Sequence, residues 1–242
     1  MRSLFALLFL GLPALAAEPK DVIALAIKAH GGKDALAKAA IGEQKMTGTM
    51  TQLNTEIGFT GLVLYALPDK YKMTLTLSVP GNKVVATQIV NGDKVKTVVD
   101  DKPQELTKAQ KGELLQTTAN QEISLLVALL DEKKYTLKAG PDAKVGDDDA
   151  AAVVVSRKGI ADVTLLFDKK DGRLVRMSRQ AVGPDDKPVA EETTLSDFKE
   201  FGDVLLPTTL VVTRGGKKFM TMAVTDVKWL DKIDEKTFAV DE

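Results

Sequence analysis

From Lys45 onward the chain alternates between apolar and polar positions. Met46, Gly48 and Met50 fall on one side of a period-two pattern, with Lys45, Thr47, Thr49 and Thr51 on the other, as expected of a strand whose successive side chains point to opposite faces. The same period puts Ile57, Phe59, Gly61, Val63, Tyr65 and Leu67 on a shared face. After a Pro68-Asp69 turn it returns in "YKMTLTLSV", where Tyr71, Met73, Leu75, Leu77 and Val79 oppose Lys72, Thr74, Thr76 and Ser78. Pro80-Gly81-Asn82 reads as a turn, and "KVVATQIV", "NGD" and "KVKTVVD" follow as strand, turn and strand. Five strands joined by short turns predict an antiparallel meander.

The period changes twice. Between Pro19 and about Ala40, Ile23, Ala26, Ile27 and His30 recur at three- and four-residue steps. Pro19 suits a first helical turn and Gly31-Gly32 is a stop, so a helix is predicted to pack across the sheet, followed by a short helical piece in "KDALAKAA". From Thr107 to Leu130, Leu115, Ala119, Ile123, Leu126 and Leu130 keep helical spacing. The segment "ISLLVALL", Ile123 to Leu130, is apolar all round and is expected to be a helix buried on more than one side. Strands then resume in "KKYTLKA", "AAAVVVSRK", "ADVTLLFD", "RLVRMSRQ", "AEETTLSDF", "TTLVVTR" and "KKFMTMAVTDVKW", linked by stretches rich in Gly, Asp and Pro. Regular short strands around one central helix predict a large antiparallel sheet in an α+β chain, and the closing "DKIDEKTFAVD" reads as a short turn that tucks Phe238 back.

The N-terminus changes what counts as the folded chain. "MRSLFALLFLGLPALAA" has a basic start, an apolar run too short to span a membrane and small residues at Ala14, Ala16 and Ala17, the pattern of a cleaved secretory signal peptide over residues 1–17. Residues 18–242 are then expected to form a single exported domain. Beyond residue 17 no run of 18 apolar residues occurs, so a soluble mature protein is expected. The chain has no cysteine, which excludes disulfides and a lipidated N-terminal cysteine, so stability must come from an ordinary core; roughly 225 residues suffice for one. With 33 Lys and Arg against 34 Asp and Glu, nothing marks a nucleic-acid binder.

Candidate chemistry is sparse. His30 is the only histidine, which rules out a His-based metal cluster; at a helix end before two glycines it reads as structural, a position where a cation is tolerated. The acidic clusters "VGDDDA", "FDKKDGR" and "VGPDDKP" fall at expected hairpin turns and lack the ligand spacing of a calcium loop. No phosphate-binding glycine loop, nucleophile elbow or HExxH occurs. With one Trp and three Tyr there is little of the aromatic platform that sugar-cleaving sites carry. No catalytic residue, metal or cofactor is expected. Six methionines, Met46, Met50, Met73, Met177, Met220 and Met222, lie on predicted strands; such side chains fill cores and also line adaptable apolar surfaces.

Several stretches together carry a resemblance: the helix ending in "AHGGKDAL", the strand "KMTGTM", "PDKYKMTLTL", "NGDKVKTVVDDKPQEL", and later "FDKKDGRLVRMS", "LSDFKEFGDVLLPTTLVV" and "KIDEKTFAV". Their order over nearly the whole chain beyond residue 17 resembles the LolA-like group of bacterial outer-membrane lipoprotein-sorting proteins. The resemblance implies a sheet curved into an unclosed half-barrel, with the N-terminal and central apolar helices covering its concave face around an apolar cavity. It also implies a monomeric periplasmic carrier of lipid or lipoprotein acyl chains that meets envelope membrane proteins. No functional residue of that group is matched to a position of this chain. The residues whose pattern would place them around such a cavity are Phe59, Val63, Tyr71, Met73, Leu75 and Leu77 on the sheet and Ile123, Leu126 and Leu130 on the apolar helix. The alternative on the same fold is a non-enzymatic envelope sensor or interaction module that binds a partner protein by the sheet's edge or convex face.

Overall fold

The computed structural model describes residues 18–52, 55–183 and 185–240; the expected leader lies outside them. Two short helices open the described chain, α1 (Pro19–Ala29) and α2 (Lys33–Lys38). Between them Gly31 adopts a φ of 112°, and a side chain there would run into the Asp203 carbonyl at 1.9 Å. The stop read from sequence is therefore also a contact point, where the end of α1 lies against a turn of the sheet.

Six strands follow: β1 (Ile41–Gln52), β2 (Thr55–Ala66), β3 (Lys70–Val79), β4 (Asn82–Asn91), β5 (Lys94–Val99) and β6 (Lys102–Gln104). After α3 (Lys108–Ser124) come β7 (Thr136–Ala139), β8 (Ala143–Val145), β9 (Asp148–Ser156), β10 (Val163–Asp168), β11 (Leu174–Val182), β12 (Pro188–Phe201), β13 (Val204–Arg214) and β14 (Lys217–Trp229). All pair antiparallel in one continuous sheet, ordered β6-β5-β4-β3-β2-β1-β14-β13-β12-β11-β10-β9-β7, with β8 also on β9. The first and last long strands meet in the middle, β1 against β14, so each half of the chain builds one wing. The ends of the order do not pair with each other, and the sheet is an unclosed half-barrel.

Curvature comes from irregularities that the sequence places. Register shifts occur opposite Lys45/Met46, Leu166/Phe167 and Val212/Thr213, and Asp197, at a φ of 54°, breaks the pairing of β12 with β13 beside Pro207. Bulges of this kind bend a strand and sharpen its twist, and Pro207, which has no N–H to give, is tolerated there. Two strand glycines open space on the inner face. The Phe59 ring lies across Gly48, and the Met46 and Leu75 side chains lie across Gly61, so large neighbours cover backbone that would otherwise be bare.

Beside a small cluster of Ala150, Ala152 and Leu166, the core forms two large clusters. One joins α1 and α2 to Ile123, Leu125, Leu126 and Leu129 and to Val153, Val155, Val163 and Leu165 of β9 and β10; the other gathers Val63, Tyr65, Tyr71 and Val90 around Leu114 of α3. The expected continuous apolar helix from Ile123 to Leu130 is not formed. α3 stops at Ser124, Leu126 takes a φ of 64°, and Val127–Leu130 forms a 3-10 turn. The reason is packing: the wholly buried Leu126 fills the gap under α1, and fully burying a leucine is worth about 1.5–3 kcal/mol, more than the roughly 1–2 kcal/mol cost of its left-handed backbone. At the "FDKKDGR" turn Asp168 is buried rather than solvated, because its carboxylate accepts the Lys170 N–H at 2.7 Å and closes the turn locally.

Candidate functional site

Helix α3 lies over the concave face and is the roof of the site. Its start is fixed by a reciprocal cap in which the Thr107 hydroxyl accepts from the Gln110 N–H (3.2 Å) and the Gln110 side chain accepts from the Thr107 N–H (2.9 Å), so two otherwise orphaned helix donors are satisfied. Along one flank polar side chains tie the helix to the β9–β11 wing. Gln116 accepts from the Ala161 N–H at 2.7 Å, and Glu122 accepts from the Tyr135 hydroxyl (2.8 Å), Arg157 (3.0 Å) and Lys134. Glu113 takes both terminal nitrogens of Arg179, with Nη1 at 3.0 Å. Toward the other wing the helix offers Leu114 and Leu115, which pack with Val63, Tyr71 and Met73.

Beneath the roof is a cavity of about 290 Å³, close to the lower bound of roughly 300 Å³ for small-molecule sites. Its floor is apolar, built from Met177 of β11, Leu195 of β12, Leu206 and Leu210 of β13, and Met222 and Val224 of β14. Its roof is polar, with Thr117, Asn120, Gln121 and Ser124 of α3. The lining follows β11 from Leu174, beside His30, to Arg179, beside Glu191. A chamber with an oily floor and a hydrogen-bonding ceiling suits an amphiphile better than a purely apolar or purely ionic ligand.

His30, at one end, is buried at 3% exposure. Its Nδ1 lies 2.7 Å from the Leu205 carbonyl oxygen, and its Nε2 lies 3.0 Å from the Leu174 nitrogen. A carbonyl can only accept and an amide N–H can only donate, so Nδ1 carries the proton and the ring is neutral. Burial lowers its pKa below the ordinary value, against the opposing pull of the Leu205 carbonyl. The cation-tolerant reading of this position is thereby corrected: His30 clips the end of α1 to two strands as an uncharged ring.

At the other end the Arg179 and Glu191 side chains are 8% and 10% exposed. Arg179 Nη2 reaches Glu191 Oε1 at 2.8 Å, while Glu191 Oε2 accepts from Arg214 Nε at 2.8 Å. Asn120 Oδ1 accepts from Gln116 Nε2 at 2.9 Å, holding the amide beside Arg179. Farther into the other wing, burial raises the pKa of the Tyr65 and Tyr71 hydroxyls above the usual tyrosine range. Among the described residues no group of three or more His, Asp and Glu side chains is arranged to hold a metal ion.

The residues anticipated from sequence fall in three places. Phe59, Val63, Tyr71, Met73, Leu75 and Leu77 do share the inner face of β2 and β3: Val63 and Tyr71 are buried, Met73 packs against them, and Phe59 and Leu75 cover glycines. Ile123 and Leu126 are in the cluster beneath α1, and Leu130 is 45% exposed on the outside. None of the nine lines the cavity. The lining comes instead from the second wing, where Met177 and Met222 are two of the strand methionines and the same period-two alternation runs through Met177-Arg179, Glu191-Thr193-Leu195 and Met222-Val224. Arg179, Glu191 and the polar roof were missed: in sequence they look like ordinary solvent-facing positions.

Compared by sequence, the chain matches no family model and no curated protein. Compared by structure, it is similar to a LolA superfamily protein of Nitrosomonas europaea, with a TM-score of 0.61, 14% identity, and 93% of this chain and 98% of that one covered. It is also similar to an outer membrane lipoprotein-sorting protein domain of Vibrio parahaemolyticus (TM-score 0.56, 11% identity, 91% and 97% covered) and to a DUF1329 family protein of Desulfovibrio piger (TM-score 0.57, 10% identity, 92% and 97% covered). The chain therefore has the LolA-like fold. Identities this low speak for architecture, and function must be argued from the site.

Proposed function

We propose that the protein is an exported, periplasmic binding or carrier protein that shelters an acyl chain of a lipid or lipoprotein between α3 and the concave sheet, without catalysing a reaction. The carrying observation is the cavity itself: an apolar floor built by four strands under a helix whose polar side chains face it. At about 30 Å³ for each water-sized group, 290 Å³ holds about ten methylenes. Burying ten methylenes at about 0.8 kcal/mol each gives about 8 kcal/mol gross, enough for reversible capture with no covalent step. A carrier needs no more than that, since release follows when a membrane or partner binds the chain better. The likeness to a lipoprotein-sorting domain supports the reading at the level of fold.

The test is to purify the protein from the periplasmic fraction of an expressing bacterium, extract it for lipid, and measure uptake of a fluorescent acyl probe by the stripped protein. Lipid in the extract and saturable uptake are expected. Leu210→Trp, which fills the floor, is expected to weaken uptake about tenfold or more while lowering stability by only about 1–3 kcal/mol. Empty extracts together with no uptake would overturn the carrier reading in favour of an interaction module.

A further inference from the structure

We infer that the cavity selects an electrically neutral amphiphile with one medium-length chain and a head that donates a hydrogen bond, and that it discriminates against the same chain ending in a carboxylate or phosphate. The inference rests on the acyl-chain reading above and specifies its ligand.

Arg179 is the one cation among the cavity-lining residues, since His30 is neutral there, and its terminal donors are already engaged. Nη1 faces Glu113 and the Gln180 carbonyl, and Nη2 faces Glu113 and Glu191. The guanidinium has five N–H bonds in a fixed fork, and the four on its terminal nitrogens each point at an acceptor. An incoming anion would have to displace one carboxylate while standing beside both. A cationic head fares no better, because Glu191 is shared between Arg179 and Arg214, and Glu113 also accepts the Val182 N–H at 3.3 Å. Two arginines and two glutamates balance, so this end is polar without offering net charge to a ligand.

The roof offers the complementary half of a neutral contact. Thr117 donates its hydroxyl proton to the Glu113 carbonyl at 3.0 Å and Ser124 donates to the Gln121 carbonyl at 2.8 Å. A hydroxyl has one proton, so what these two side chains have left is acceptor capacity, which a hydroxyl or amide N–H on the ligand would satisfy and an ester without a donor would not. The volume, about ten methylene-sized groups, takes most of one twelve-carbon chain and not two side by side.

The experiment measures binding of monolaurin, lauroyl ethanolamide, methyl laurate, laurate and dodecyl phosphate to the stripped full-length protein at about pH 8, where the fatty acid is ionised. Monolaurin and lauroyl ethanolamide are expected to bind about tenfold or more tighter than laurate and dodecyl phosphate, with methyl laurate weaker than either donor-bearing ligand. Glu191→Gln, which frees a donor of Arg179 and removes a negative charge, is expected to narrow the neutral-to-anion ratio about fivefold. Anions binding as tightly as the neutral ligands, methyl laurate matching monolaurin, or an unchanged ratio in a folded Glu191→Gln protein would each overturn the inference while leaving the acyl-chain reading intact. Failure of every probe to bind would overturn both.

Discussion

His30 shows how much one side chain can fix when both its nitrogens are used. Nδ1 donates to Leu205 and Nε2 accepts from Leu174, so a single imidazole completes the backbone of two strands and holds the end of α1 between them. Protonation would put an N–H on Nε2 facing the Leu174 N–H. Because burial lowers the folded-state pKa below 6.5, the unfolded chain binds the proton more readily just below that pH. Stability is thus full above pH 6.5 and declines as the pH falls from 6.5 toward the folded-state value. His30→Ala is expected to cost about 2–5 kcal/mol at neutral pH, since both backbone partners lose their bond, and to flatten the acid limb. Urea denaturation of the two proteins across this interval checks both, and parallel slopes would show that the ring is not buried in its neutral form.

At the scale of elements, the inner face of the first wing depends on which glycines lie beneath large side chains. A methyl group on Gly48 would meet the Thr221 carbonyl at 2.2 Å and the Phe59 ring at 2.7 Å, whereas one on Gly58 meets nothing nearer than 4.0 Å. Gly48→Ala is expected to destabilise by about 1–3 kcal/mol through overpacking, and Gly58→Ala to be neutral or slightly stabilising; thermal melts distinguish them. The alternation that exposes these strands in the sequence is strong because the "YKMTLTLSV" face has nothing else to do, and β3 and β14 form where it predicts them. The two short strands β6 and β8 were invisible, since three residues, with Pro103 in one of them, carry no period. The Ile123–Leu130 segment misled because a run apolar on all sides has no phase: it fits a helix and a buried turn alike, and the choice fell to the shape of the space beneath α1, which Leu126 fills. The cavity was legible only as alternation in the second wing. Its polar end was not: Arg179 faces Glu191, 12 positions on, across the β11–β12 hairpin, but Glu113, 66 positions back, reaches it only because α3 lies over that strand.

At the scale of the molecule, the two larger core clusters share one sheet. Leu67 and Trp229 pack against both, and the Trp229 Nε1 donates to the Phe201 carbonyl at 2.7 Å, so the central strands are braced to each wing at the point where the chain's two halves meet. A sheet of this width joined by such residues should lose both wings together, and Trp229 fluorescence and far-UV circular dichroism are expected to report one coincident transition. The cavity belongs to the same unit, being floored by β11–β14 and roofed by a helix that also packs on β2–β4. A ligand bound there stabilises the whole rather than a part. At a free concentration of about 100 times its Kd it adds about 2.7 kcal/mol, which for a chain of this length is a rise in melting temperature of about 5–10 °C. The shift should appear equally in both signals with monolaurin and be smaller with laurate at the same concentration. A ligand-dependent rise seen only by circular dichroism, with the Trp229 transition unmoved, would mean that the wings unfold separately and that the cavity stabilises only one of them.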